Sequence, residues 1–254
     1  MKHYESMIDM GCFSRSELSK SLKLGDATTG SLLQQYQKKG YIERVRHDFY
    51  VVISIENKQP ILSRYEIASR LFSDACVSNH SAFEVYGYAN QVFYEVYIMT
   101  NSRFNDFEYD GVRYHQVSWK GDAQIENIQG VRVTGIEKTV IDCINNIDKT
   151  GGIEELIRCI LLIPSLNEEK LLNALKDYKK GFLYQKTGFI LEQLRDELHL
   201  SDAFFKKCEA NISKSDRYLS KEHYNYIYNQ KWRIIGPKNI YELVDKGIIY
   251  DASS

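Results

Sequence analysis

Proline is scarce in this chain, at three in 254 residues, and cysteine is little commoner at five. The thiols (Cys12, Cys76, Cys143, Cys159 and Cys208) are odd in number, scattered and without a C-x-x-C pair. That spacing argues against a disulfide framework and against a zinc ribbon, and it leaves reduced, mostly buried thiols in a cytoplasm as the expected state. Long apolar runs are missing too. The longest, LIRCILLI at residues 156–163, is interrupted by Arg158 and stopped by Pro164, so no membrane span is expected. The opening stretch MKHYESMIDMGCFSRSEL lacks the apolar centre of a signal peptide. Nor is there an excess of charge of one sign. The net charge of −1 gives no global attraction to nucleic acid.

What is present fits a folded chain. Hydrophobic residues make up 43% and charged residues 26%, a balance that excludes disorder, and 254 residues suffice for one large domain or two smaller ones. The overall charge hides a local bias. Between Arg15 and Arg46 stand seven basic residues against three acidic ones, an excess of four positive charges. A segment so biased can bind phosphate even when the rest of the chain is neutral.

The same segment carries a recognisable order of elements. A helix is predicted over residues 4–10. SRSE at residues 14–17 reads as a capping box opening a second helix, which Gly25 ends. Asp26 is then expected to cap a third helix over residues 27–39, with Leu32, Leu33 and Tyr36 at helical spacing and Gly40 as its stop. Alternating residues follow, YIERV and FYVVI, around a tight turn at residues 46–48. Three helices and a hairpin within about fifty residues make the pattern of a winged helix-turn-helix.

In that arrangement the third helix enters a major groove by its N-terminal end, where bulky side chains would hold the backbone away. Here that end offers Ala27, Thr28, Thr29, Gly30 and Ser31, small residues with hydroxyls suited to phosphates or base edges. Gln34, Gln35, Lys38 and Lys39 continue along the helix, and Gln35 has the carboxamide for paired bonds to adenine. Arg15 opens the preceding helix, and Arg44, Arg46 and His47 stand on the wing. A winged helix whose charges are merely solvated, serving protein docking, is the plainer alternative. The hydroxyl-rich helix start together with the basic wing favours DNA.

Residues 54–64 are polar, contain one of the prolines and suggest a boundary between a domain at 1–56 and one at 64–254. Beyond it, a helix is predicted at residues 65–72 and a short one in NHSAFEVYGY (79–88), ending at Gly87, with Ser81 as a candidate cap. YEVYIMT reads as a strand, Asp110–Gly111 as a hairpin turn, and IENIQGVRVTG as short strands. Helices dominate after Gly135, with caps expected from Thr134 with Glu137 and from Ser165 with Glu168, before a last strand at residues 231–236. The expected fold class is α+β, an N-terminal winged helix-turn-helix followed by a mixed α+β domain.

Enzymatic motifs find little support. Glu168–Lys170 could end a metal-dependent nuclease motif, but the first turn of a helix explains Glu168 as well. His80–Ser81 has no identified orienting acid, and the remaining histidines lack H-x-x-x-H spacing. Gly151–Gly152 is not followed by the Lys-Ser/Thr of a P-loop. Gly30–Ser31 has no D-x-D about ten residues on. Asp142 and Glu192 follow apolar runs, where a structural ion pair or cap is the simpler role. No enzyme, metal or cofactor is expected.

Four later stretches, NHSAFEVYGY, IEKTVIDCI, GGIEELIRCI and YQKTGFILE, occur in this order behind the winged-helix pattern. On them the chain resembles the AbiEi family of type IV antitoxins and transcriptional regulators of phage defence, over residues 18–192. Lys138 and Tyr86 stand where many relatives carry Arg and His. The resemblance implies repression of the protein's own operon through inverted repeats in promoter DNA. It also implies a second domain that counteracts a nucleotidyltransferase-like toxin, by direct contact or indirectly. By position, the DNA role falls to Thr28, Thr29, Ser31, Gln35, Lys38, Arg44 and Arg46. The competing readings are a stand-alone regulator whose second domain binds a ligand or mediates assembly, and an enzyme acting on nucleic acid.

Overall fold

The first element of the computed structural model is α1 (Tyr4–Met10), with residues 3–122, 124–221 and 225–245 described. It buries Tyr4 and Met7, and the Tyr4 hydroxyl donates to the Ile53 carbonyl at 2.5 Å. Next come β1 (Cys12–Phe13) and α2 (Arg15–Leu22). The predicted capping box is present, with the Glu17 amide donating to Ser14 Oγ at 3.2 Å and the Ser14 amide to Glu17 Oε2 at 2.7 Å. Gly25 does not end this helix, because Lys23 takes the left-handed turn at φ 52°. Gly25 instead precedes α3 (Asp26–Lys38) as an N-cap without a side-chain bond. Asp26, expected as the cap, pairs with Arg15 at 2.8 Å.

The hairpin β2 (Ile42–Arg46) and β3 (Phe49–Val52) follows, and β1 pairs with its second strand to give the order β1-β3-β2. Tyr4, Met7, Phe13, Leu18, Leu33, Tyr36, Ile42 and Val52 form one apolar cluster. The helical and strand periods of the sequence thus converge on a single interior.

By its internal contacts the chain forms two compact units. The first comprises residues 1–77, 94–118 and 129–132, and the second residues 78–93, 119–128 and 133–254. Beyond the hairpin, the first unit contains α4 (Arg64–Arg70), β4 (Cys76–Ser78, whose last residue falls in the second unit), β5 (Glu95–Thr100), β6 (Phe107–Tyr109) and β7 (Val112–Ser118). Strands β5 and β7 pair in parallel, and β6 pairs antiparallel to β7 through the predicted turn. Asp110 (φ 51°) and Gly111 (φ 71°) are both left-handed there, as a two-residue hairpin turn requires. After β8 (Glu126–Ile128), which falls in the second unit, β9 (Val131–Val133) begins in the first. Its Arg132 guanidinium donates to the carbonyls of Ser69 (2.7 Å), Phe72 (2.9 Å) and Ser73 (2.5 Å). These bonds tie β9 to carbonyls at and just beyond the end of α4.

The second unit is largely helical. It contains α5 (Asn79–Tyr86), α6 (Ile136–Asn145), α7 (Ile153–Leu161), α8 (Glu168–Tyr178), α9 (Gly181–Glu192), α10 (Asp202–Glu209) and α11 (Glu242–Asp245). A small sheet of β10 (Arg217–Tyr218), β11 (Ile227–Asn229) and β12 (Ile234–Gly236), in the order β10-β12-β11, joins them. Ser78, rather than Ser81, is the N-cap of α5. Gly135 precedes α6 without a side-chain cap, since Glu137 turns inward to accept from the Asn167 amide at 2.9 Å. Asn167 caps α8 instead of Ser165, and Glu168 accepts from the Ser201 amide and hydroxyl. Both departures have one cause: the acid bonds a more distant donor.

Asp142 and Glu192 have the structural partners expected of them. Asp142 is bonded by Lys138 and by the Tyr178 hydroxyl at 2.6 Å, and Glu192 by Lys231 and by Trp232 Nε1 at 2.7 Å. Helix α9 packs so closely that a Cβ on Gly188 would lie 2.1 Å from the buried Trp232 ring. Gly188→Ala is expected to destabilise the protein by about 1–3 kcal/mol in a urea titration, through overpacking. All five cysteines are free and buried, and no helix among the described residues is long and apolar enough to cross a membrane. The chain as a whole is mixed α+β.

Candidate nucleic-acid interface

At about 100° per residue, an α-helix carries Thr28, Ser31, Gln34, Gln35 and Lys38 on one side and Leu32, Leu33 and Tyr36 on the other. Helix α3 follows this division. Thr28, Ser31, Gln34, Gln35 and Lys38 are exposed, while Leu33 and Tyr36 are buried. Lys39 is exposed just past the helix end. Thr29 corrects the sequence reading. Its position is shared with the apolar side, it is 0% exposed, and its hydroxyl donates to the Gly25 carbonyl at 3.0 Å. No side-chain contact with a ligand is open to it. The Ser31 hydroxyl donates to the Ala27 carbonyl at 3.2 Å, which leaves its lone pairs facing solvent.

Arg15 has a positioning role. Its guanidinium donates to both the carbonyl and the carboxylate of Asp26, at 2.7 and 2.8 Å, and its amide donates to Asp48 at 3.1 Å. One residue thereby ties the start of α2 to the start of α3 and to the hairpin turn. Asp48 sits in that turn at φ 55°, in the left-handed region that Asp tolerates better than most residues.

The hairpin contains an irregularity that sorts its cations. Arg44 pairs with Tyr50 and Arg46 with Phe49, so Val45 is the extra residue of a bulge. The bulge resets the alternation: Val45 points into the core and Arg44 outward. Arg44 is exposed, with its Nε donating to the Arg46 carbonyl at 3.2 Å, and His47 is exposed beside it. Arg46 is placed differently. Its guanidinium lies over the rings of Phe72 and Phe104, at 5.0 and 5.6 Å from their centroids, and burial pushes its pKa down from the usual value. It remains charged, but part of its surface serves packing.

The turn and α4 border a cleft of about 540 Å³ whose lining includes Ser14, Arg46, His47, Asp48, Arg70 and Phe72. Arg70 is a cation that the sequence does not point to. It lies 60 positions from Met10, whose carbonyl it reaches at 3.3 Å, and no short-range pattern signals that proximity. On β2 itself, next to Arg44, Glu43 accepts from the Tyr109 hydroxyl of β6 at 2.7 Å. The Glu43 carboxylate is thus held by a neutral donor and keeps its own charge beside Arg44.

The described residues include one group with metal-ligand chemistry, in the second unit. His80, Glu155 and Cys159 bring ligand atoms within 4.8 Å of one another, all buried. Its bonds read as a self-satisfied hydrogen-bond network. His80 bonds Glu84 (2.9 Å) through Nδ1 and Glu155 (3.0 Å) through Nε2, while Glu155 also accepts from the amides of Asn90 (3.1 Å) and Gln91 (2.9 Å) and from the Cys159 thiol (3.3 Å). Both ring nitrogens of His80 are thereby taken up by carboxylates, which makes it a cation held between two acids.

Compared with known proteins, the chain matches no family model and no curated sequence.

Proposed function

We propose that the amino-terminal elements form a winged helix-turn-helix that binds double-stranded DNA. The observation that carries this reading is the exposed row Thr28, Ser31, Gln35 and Lys38 on α3, with Arg44 and His47 exposed on the hairpin. Hydroxyls and carboxamides suit base edges and phosphates, and the cations Lys38 and Arg44 suit the phosphate backbone. Arg15 fixes the helix start from which such contacts would be made.

The wider role is an autorepressing antitoxin of a type IV, abortive-infection pair, acting in the cytoplasm without catalysis of its own. The ordered motifs that resemble the AbiEi family support it. The cognate partner is then a nucleotidyltransferase-like toxin, and the operator a set of inverted repeats in the protein's own promoter. The test pairs two assays: an electrophoretic shift with that promoter, and growth rescue on co-expression with the product of the neighbouring gene. A specific shift and rescue are expected. A promoter bound no better than random duplex would overturn the repressor role, and absence of rescue at full expression the antitoxin role.

Base reading is separable from phosphate contact. Gln35→Ala is expected to weaken the preferred operator by about 1–3 kcal/mol while leaving random-sequence affinity nearly unchanged. Competition binding with single-base operator variants measures it.

A second reading, a stand-alone regulator with a ligand-binding domain, is favoured by one feature, an open cleft in the second unit beside α9. A neighbouring gene without the G-S and D-x-D motifs of a nucleotidyltransferase would favour it over the antitoxin.

A further inference from the structure

Helix α9 is buried almost all round, and Phe182 and Lys186, one turn apart, are half-buried where it borders that cleft. A lysine in such a place ordinarily has a carboxylate partner, because a half-desolvated ammonium is costly alone. Among the described residues Lys186 has no ion pair. Its ammonium lies 5.0 Å from the Phe182 ring centroid, and the Arg217 guanidinium lies 5.8 Å from the same ring.

Two acids line the cleft, and each is paired with a cation other than Lys186. Asp148 pairs with Lys221 at 2.8 Å, and Asp216 with Arg233 at 2.8 Å while also accepting from Tyr228 at 3.0 Å. Burial pushes the Lys186 pKa down, Asp148 pulls it back in part, and Lys180 pushes it down further. The ammonium therefore sits where positive charge is in excess and an anion would relieve it. A cation–π contact is worth about 0.5–2 kcal/mol, too little to replace a counter-ion for a half-buried ammonium.

The dimensions narrow the anion's identity. The cleft holds about 580 Å³, far more than a bare phosphate occupies and within the range of small-ligand sites. Its walls also present the Tyr218 ring, 52% exposed, and the carboxamides of Asn145 and Asn146. An aromatic face and paired donor–acceptor groups suit a heterocyclic base, and a lysine with an arginine suits phosphate oxygens.

We propose that this cleft binds a nucleoside phosphate, with the phosphates between Lys186 and Arg217 and the base against Tyr218. The site lies wholly within the second unit, and the inference does not depend on the DNA-binding reading.

The test is calorimetric titration of the full-length protein with ADP, AMP, adenosine, guanosine diphosphate and inorganic phosphate in turn. At least one nucleoside phosphate is expected to bind at a single site, with adenosine and phosphate each at least about tenfold weaker. Lys186→Gln and Arg217→Ala should each weaken that ligand by about tenfold or more, and Lys186→Arg should retain most of the affinity. Arg217 is exposed, so its variant keeps the test valid should Lys186→Gln fail to fold. Binding of none of these compounds, equal binding by the Arg217→Ala variant, or phosphate binding as tightly as the nucleotides would overturn the proposal. So would loss of affinity for a duplex in place of a nucleotide, since the cations would then belong to a nucleic-acid surface.

Discussion

Glu155→Ala is expected to destabilise the second unit by about 3–5 kcal/mol, the usual cost of removing one partner from a buried charged pair. Folded domains have about 5–15 kcal/mol in total, so the variant should be partly unfolded at modest urea concentrations. The size follows from what the carboxylate holds. It accepts from His80, from the amides of Asn90 and Gln91, from the Asn90 side chain at 3.2 Å and from the Cys159 thiol. Alanine leaves these donors unpaired, and it leaves the imidazolium with Glu84 alone.

The pH dependence of the same cluster has a definite sign. Burial pushes the Glu155 carboxyl up, but the bonds from His80, the Gln91 amide, Cys159 and Asn90 outweigh it and bring the pKa down to about 2. Its contribution is present in full above the unfolded value of about 4.3 and is lost as pH falls from there through about 2. Burial pushes His80 down, and its bonds to Glu155 and Glu84 outweigh that and raise it. Its contribution is complete below about 6.5 and is lost as pH rises through the folded value. Urea midpoints across pH should therefore fall on both sides for the wild type and fall less steeply for Glu155→Ala. A Glu155→Ala midpoint equal to wild type at neutral pH would mean that the cluster does not hold α5 to α7.

Replacing Lys38 and Arg44 together with alanine is expected to weaken duplex binding about a hundredfold at physiological salt, at about tenfold for each cation removed. The log–log dependence of affinity on salt should also flatten by about two units, close to one per phosphate neutralised. Both residues are exposed, so stability should hardly change. Arg46 is the less clean choice, because removing its guanidinium also uncovers Phe72 and Phe104. The double variant should still rescue growth from the toxin at equal protein level. Unchanged salt dependence would mean that neither side chain meets phosphate.

Distance along the chain governs what is legible in the sequence. Helix α1, the capping box of Ser14 and Glu17, the Asp110–Gly111 hairpin and the exposed row of α3 all depend on neighbours within a turn or a pair of strands. The features that escape a sequence reading share the opposite property. Asp26, Glu137 and Glu168 stand at cap positions, yet Asp26 bonds a residue 11 positions away, Glu137 one 30 away and Glu168 one 33 away. Composition groups Thr29 with its hydroxyl neighbours, although the helical period places it with Leu33 and Tyr36. The inward Val45 and the stacked Arg46 depend on a bulge that alternation alone does not reveal. The cleft of Lys186 combines residues from three stretches spanning 145–221 and gives no local signal.

On the proposed DNA-binding role, the outer side of α3 lies against base edges in the bound duplex. A photo-reactive side chain substituted for Gln35 and illuminated in the presence of the protein's own promoter duplex probes that contact. Crosslinks to bases within the inverted repeats are expected, suppressed by unlabelled operator and not by random duplex. Crosslinks only to protein, or to DNA without regard to sequence, would contradict it.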